Sequence, residues 1–464
     1  NWNFNPVISL LTLKDIQIVG AGAKLTPNKV LGDNQKEKFE VNFTVPANTP
    51  YTSPYWLNEP GTLGTYTVND QSLIGKPETP SAFKAIFNLE IDGVEIPFEK
   101  SVVHRYSKPD RGELYEPFAI LPEVTSKIDE KVLIFADSDT KSVQVKIRAG
   151  KNDVSGTVEL DHPMGWKVSP NSIPFSIAQK GEEISVIFEV TPPSTESEGK
   201  IEPKVSVGNK IYGNELVEID YNHIPKQSIL LPSEAKVVRM DIRKSGEHIA
   251  YIMGAGDNVP ESLEQIGYQV HVVDPNDIQN GDLDKYDAVV VGIRAYNVVD
   301  ALKFKQPVLF DYVKNGGTMI VQYNTAGRWA GQFENIAPYE VTLSRDRVTD
   351  ENAEVKILAP NNSLVNFPNT ITEKDFDGWV QERGLYYPNQ WSSEFTPILS
   401  MQDEGETEKQ GSLIVAPYGE GHYIYTGLSF FRELPVGVSG AYKLFANMLS
   451  IGKDEVKSDN NVKG

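Results

Sequence analysis

With 464 residues the chain is too long for a single core, and a composition of 39% hydrophobic and 23% charged residues is that of an ordinary globular protein of about three domains. The formal net charge of −20, from 64 acidic against 44 basic side chains, argues against nucleic acid and anionic membranes as partners. The absence of cysteine excludes disulfides, thiolate metal ligands and a cysteine nucleophile, and no apolar run reaches the roughly 18 residues of a membrane span.

Residues 1–115 read as a β-sandwich module. Phe39, Val41, Phe43 and Val45 alternate with Glu40, Asn42 and Thr44, the two-residue period of a half-buried strand. Shorter runs at Ile16-Gln17-Ile18 and Ser101-Val102-Val103 are compatible with further strands, and the loops around Pro50 and Pro54 separate them. A second module, residues 116–222, repeats the pattern with Val143, Val145 and Ile147, and with Ile184, Val186, Phe188 and Val190. Turn signals about every ten residues predict an immunoglobulin-like sandwich.

From 223 to 452 the pattern changes to short apolar runs separated by helical segments. The runs are His248–Met253, Val270–Val273, Ala288–Val291 and Thr318–Val321. A helix capped by Asp257 or Asn258, with Pro260 in its first turn, follows the first run. Another is expected over Pro307–Lys314, ended by Gly316. Leu413–Ala416 and Tyr423–Tyr425 read as a hairpin about the Tyr418–Gly421 turn. The last helix carries Ala441, Leu444, Phe445, Met448 and Leu449 as one apolar stripe. Alternating strands and helices predict a parallel sheet covered on both faces, a three-layer α/β domain. The polar tail 453–464 is expected to be disordered.

Most catalytic chemistries fail on these residues. The histidines at 104, 162, 223, 248, 271 and 422 include no pair at metal-ligand spacing. An α/β hydrolase wants Gly-x-Ser-x-Gly after a strand; Gly437-Val438-Ser439-Gly440 precedes a helix instead. Met253-Gly254-Ala255-Gly256, with Asp274 about twenty residues on, imitates a dinucleotide fingerprint but lacks the third glycine. Asp137-Ser138-Asp139 and the stretch Asp274–Asp287 are acidic, but Gln279 and Lys285 break the calcium-loop order. What remains is a polar rim beyond the predicted strand ends: Asp257, Arg294, Tyr296, Asn324, Arg328, Trp329 and Arg432, joined by the charged couple Glu382–Arg383. Arginines, an amide and aromatic faces suit a sugar or a carboxylate, while the alternative for Arg294 and Arg432 is pairing with nearby acids such as Glu433. The aromatic loop Tyr51, Tyr55 and Trp56 is a second candidate carbohydrate contact.

Several segments carry a resemblance. Residues 141–196, with Pro163-Met164-Gly165-Trp166 and the stretch Phe188 to Pro193, look like the NPCBM-associated sandwich found beside α-galactosidase catalytic domains. Residues 248–450 resemble ThuA-type relatives of the flavodoxin-like class I glutamine amidotransferase fold. Tyr51–Leu57, Gly112–Tyr115, Gly254–Asp257, Trp379–Gly384 and Phe431–Pro435 resemble the C-terminal half of large PIG-L/LmbE-type deacetylases of Bacteroidetes-like bacteria. That resemblance implies an upstream zinc-dependent domain that deacetylates an amino sugar, with this chain as its accessory region, and implies export to the periplasm or beyond. The family's zinc ligands come from a His-Pro-Asp-Asp motif; Asp161-His162-Pro163-Met164 lacks the aspartates, so no zinc or other cofactor is expected in this chain. An amidotransferase would need a thiolate on the turn after Thr318–Val321, and that turn reads Gln322-Tyr323-Asn324-Thr325-Ala326-Gly327.

Overall fold

The computed structural model describes residues 11–32, 35–62, 64–326 and 336–453. The expectations placed on Arg328, Trp329 and the tail beyond 453 lie outside the described residues. The protein is rich in β-structure and built from several sheets.

In the first module, strands Ala23–Leu25, Leu11–Val19, Lys84–Ile91 and Val94–Ser101 lie side by side, with Lys29–Val30 also paired to Leu11–Val19. Every pairing is antiparallel. Among the described residues, Leu13, Ile16, Ile18 and Phe83 form its buried apolar centre. The segment around Phe39–Val45, read from its alternation as a strand, carries no ladder. Its alternation survives, since Phe39, Val41 and Phe43 pack against the centre while Glu40, Asn42 and Thr44 are exposed. A two-residue period reports an extended chain with one face covered, not a hydrogen-bonding partner. Val103–Lys108 and Gly112–Pro117 form a separate, largely exposed hairpin.

The second module is a two-sheet sandwich. One sheet runs Lys167–Ser169, Glu183–Thr191, Lys141–Ala149, Val124–Ile128; the facing sheet runs Ile173–Ile177, Val154–Asp161, Ser197–Val207, Ala235–Arg239, Val132–Phe135. The alternating residues read from sequence point inward: Val143, Val145, Ile147, Val186, Phe188 and Val190 are buried in its core. Trp166 stands edge-on to Phe135 at 5.0 Å between ring centroids. Ala235–Arg239 belongs to this sandwich although it lies beyond the boundary expected at 222. The intervening residues make a two-stranded ribbon, Asn214–Ile219 with Gln227–Pro232.

The third region holds β1 (His248–Ile252), β2 (Gln269–Val272), β3 (Ala288–Val291), β4 (Thr318–Gln322), β5 (Leu413–Tyr418) and β6 (Gly421–Thr426). Their order is β2-β1-β3-β4-β6-β5, extended by the short strand Thr396–Pro397. The first five are parallel and β5 returns antiparallel as the hairpin partner of β6. Burial on both sides explains the unbroken apolar runs, and residues alternate between two cores. Ile249 and Tyr251 face helices α1 (Val259–Gln265) and α3 (Ser439–Ser450), whereas Ala250 and Ile252 face α2 (Leu302–Lys314). Helix α2 begins at Leu302, earlier than its proline suggested, and carries Pro307 internally on an exposed face. It ends at Gly316, whose φ of 108° only glycine adopts freely, as expected.

The sandwich and the α/β region share one core. Ile134, Val238 and Met240 from the sandwich join the cluster beneath α1 and α3. At that seam the Ile134 amide donates to Gln265 Oε1 at 2.8 Å, and the Lys141 ammonium donates to the Gln265 carbonyl at 3.2 Å. Burial there pulls the Lys141 ammonium below its ordinary pKa.

Candidate functional site

The carboxyl ends of β1, β3, β4 and β6 bring most of the expected rim residues to one edge, the usual ligand position in open α/β sheets. After β1 the chain turns through Gly254, where a Cβ would stand 2.0 Å from the Ile293 carbonyl oxygen. The Ala255 amide donates to that same oxygen at 2.9 Å. The glycine is therefore required by the neighbouring backbone, and its environment is not that of a phosphate cradle. Asp274, the imitation ribose acid, caps a short turn by accepting the Asn276 amide at 2.9 Å.

Asp257 Oδ1 accepts the Tyr251 hydroxyl at 2.7 Å and the Val259 amide at 3.0 Å, the second bond capping α1. Gln322 Nε2 donates to the Tyr251 hydroxyl at 3.3 Å, which completes a short chain across the sheet end. Burial raises the Asp257 carboxyl above its ordinary pKa despite these donors. Asn324, the amide expected to meet a ligand, is buried. Its Oδ1 accepts the Tyr296 amide at 3.1 Å and its Nδ2 donates to the Gln322 carbonyl at 3.0 Å. Tyr296 is a core residue against α2. Asn324 and Tyr296 thus brace backbone and core rather than line an opening. Arg294 remains exposed, in the left-handed region at φ 54°, with no ion pair among the described residues.

The residue after β4 is Tyr323, also left-handed at φ 42°. Its hydroxyl donates to Glu382 Oε1 at 2.9 Å, and its ring meets Phe431 edge-on at 5.0 Å. Burial lifts this phenol well above its ordinary pKa. The same Glu382 oxygen accepts Ser429 Oγ at 3.1 Å and Arg432 Nε at 3.2 Å. Arg432 also donates to Gln381 Oε1 at 2.6 Å. Gln381 and Tyr386 are left-handed too, so four of the non-glycine residues with positive φ meet around this edge. Such conformations cost energy and persist where the surroundings over-determine them.

Arg383 is 4% exposed and is a structural residue, not a rim contact. Its guanidinium donates to the carbonyls of Ala353, at 2.7 Å, and Phe376, and lies over the Phe376 and Trp379 rings. In sequence, Glu433 reads only as a possible partner for the arginines. The structure shows instead a fully buried acid whose Oε2 accepts the Val380 amide at 3.0 Å and whose Oε1 has no partner among the described residues. Burial pushes its pKa up to about 8. Its spacing in α/β sequence offers no clue to this, because Phe430 and Leu434 on either side read as ordinary helix core.

Histidines stand away from this edge: His248 opens β1 and His422 lies near the start of β6, both at amino ends. Among the described residues no cluster of three His, Asp or Glu side chains is arranged to hold a metal ion.

The aromatic loop lies elsewhere, beside a cleft of about 650 Å³ between the first module and the sandwich. Trp56 lines that cleft, Tyr51 is exposed outside it, and Tyr55 is buried. Tyr55 is therefore removed from the expected contact surface; its hydroxyl donates to the Lys76 carbonyl at 3.1 Å.

No protein-family model and no curated protein matches this sequence. Solved structures that it resembles include E. coli α2-macroglobulin from domain MG7 to the C-terminus, at 12% identity over 25% of this chain and 16% of that one, with a TM-score of 0.18. Another is a family 123 glycoside hydrolase from Clostridium perfringens, described for glycolipid glycan hydrolysis, at 8% identity over 43% and 38%, with a TM-score of 0.17. The chain spans less than half the length of either, and likenesses this slight carry no functional argument.

Proposed function

We propose that this chain is the non-catalytic accessory region of a PIG-L/LmbE-type N-acetyl-sugar deacetylase, whose zinc site and hydrolytic chemistry belong to a domain encoded upstream. In this reading the third region is a flavodoxin-like, class I glutamine amidotransferase-like domain without a working nucleophile. Its strand order supports the assignment, since β2-β1-β3-β4-β6 follows the 2-1-3-4-5 order of doubly wound folds.

The observation that carries the reading is Tyr323. It occupies the strained position directly after β4 where this fold would present its nucleophile. Its hydroxyl is committed to Glu382, and its raised pKa keeps it protonated. Asp257, Asn324 and Glu382 are likewise engaged in bonds that hold the edge together. The shared core with the sandwich supports a rigid unit able to position or present a neighbouring domain. Export with the parent enzyme follows from the same resemblance.

The test is to express the upstream coding region with and without this chain and assay zinc content and deacetylation of N-acetylated amino sugars. Zinc and turnover confined to the upstream part support the reading. An upstream region without a zinc-binding deacetylase domain overturns it. A second reading, a carbohydrate-binding module, is favoured by the placement of Trp56 in the inter-module cleft.

A further inference from the structure

We infer that the cleft between the first module and the sandwich is a binding site for a neutral oligosaccharide, with Trp56 as its stacking platform. This deepens the accessory reading by giving it a ligand, and the two fail separately: absence of sugar binding leaves the upstream-domain test untouched.

At about 650 Å³ the cleft falls within the 300–1,000 Å³ typical of small-molecule sites. Its platform is fixed before any ligand arrives. Tyr55 stands edge-on to Trp56 at 4.8 Å with the ring planes at 89°. The Tyr55 amide donates to Thr79 Oγ1 at 2.9 Å, and Thr79 Oγ1 donates to the Ser53 carbonyl at 2.8 Å. The opposite wall is tied to this loop, because the Thr52 amide donates to the Ile120 carbonyl at 2.8 Å and the Ile120 amide donates to Thr52 Oγ1 at 2.9 Å. Rigid platforms lose little entropy on binding.

The polar lining suits a polyhydroxylated partner. Across the cleft, Glu218 is clamped by Lys226 at 2.7 Å and Arg148 at 2.8 Å, and these cations hold its carboxyl below the ordinary range. The triad presents donors and acceptors in a fixed array. The lining carboxylates Glu78, Glu116 and Glu218 balance Arg148, Lys180 and Lys226. That balance disfavours phosphate-bearing or strongly acidic ligands and suits uncharged rings, whose apolar faces stack on indole while their hydroxyls bond to charged side chains.

Isothermal titration calorimetry of the full chain with maltotriose, cellotriose, xylotriose and tri-N-acetylchitotriose tests this directly. At least one probe is expected to bind saturably, weakened about tenfold or more by Trp56→Ala and partly restored by Trp56→Phe. Arg294→Ala, on the remote α/β edge, leaves binding unchanged. The proposal is overturned if no probe binds at millimolar concentration. It is equally overturned if binding survives Trp56→Ala in a chain whose thermal midpoint is intact.

Discussion

The α/β edge and the inter-module cleft use similar residue types to opposite ends. At the edge, Asp257, Asn324 and Glu382 turn inward to cap a helix, brace a loop and hold Tyr323. In the cleft, Trp56 lines an open volume, and Glu218, Lys226 and Arg148 pair with one another along it. A polar residue beyond a strand end thus says little about function until its partners are known. Unmatched polar atoms do not separate the two places, since Asp257 Oδ2, Gln322 Oε1 and Glu433 Oε1 at the edge are without a partner among the described residues too; the open volume beside Trp56 does.

Substitutions test this contrast. The largest effect is expected for Arg383→Met, which leaves the Ala353 and Phe376 carbonyls without their buried donor and removes the cation near Glu433. A loss of roughly 3–5 kcal/mol in denaturant unfolding is expected; a loss below about 1 kcal/mol would show that the edge is not braced this way. Next comes Glu433. Its folded pKa lies above the unfolded value, so its contribution is complete below pH 4.5 and is lost as pH rises to about 8. Wild type should lose a few kcal/mol more stability across that window than Glu433→Gln, whose amide cannot ionise. Parallel pH profiles for the two proteins would remove Glu433 from the account.

A smaller change is expected for Tyr323→Phe, about 1–2 kcal/mol, from loss of the bond to Glu382. If unfolding is unaffected, the elbow hydroxyl is free for another role. Last, Ser53→Ala is expected not to destabilise and to gain up to about 1 kcal/mol, because it deletes a buried hydroxyl that has no partner. A clear destabilisation would mean that Ser53 already serves the fold.

Where a residue's role follows from periodicity, the sequence was legible. Val143, Val145 and Ile147 alternate because one sheet face is buried, and Ala441, Leu444 and Phe445 form a stripe because one helix face is. Phe39–Val45 shows the limit of the same signal, since alternation does not report whether a strand is paired. The ribbons Val341–Val348 with Gly384–Trp391, and Val355–Ile357 with Leu399–Met401, carry register shifts or are too short to leave a clean period. The site was less legible than the fold. Arg383 and Arg294 are both arginines beside apolar strands, yet one is buried over two rings and the other is exposed. No periodic signal distinguishes them, because Arg383 owes its burial to Phe376 and Trp379 in the irregular stretch before it and to Ala353, which is distant in sequence. Glu433 is hidden for the same reason: its burial is a property of the packed domain.

If the α/β edge only braces the fold, it carries out no reaction of its own. A steady-state assay of this chain alone, with zinc supplied and N-acetylated amino sugars as substrates, is the decisive measurement. No turnover above a zinc-only blank is expected. Turnover that disappears in Glu382→Gln or Asp257→Asn, with both variants still folded, would contradict it.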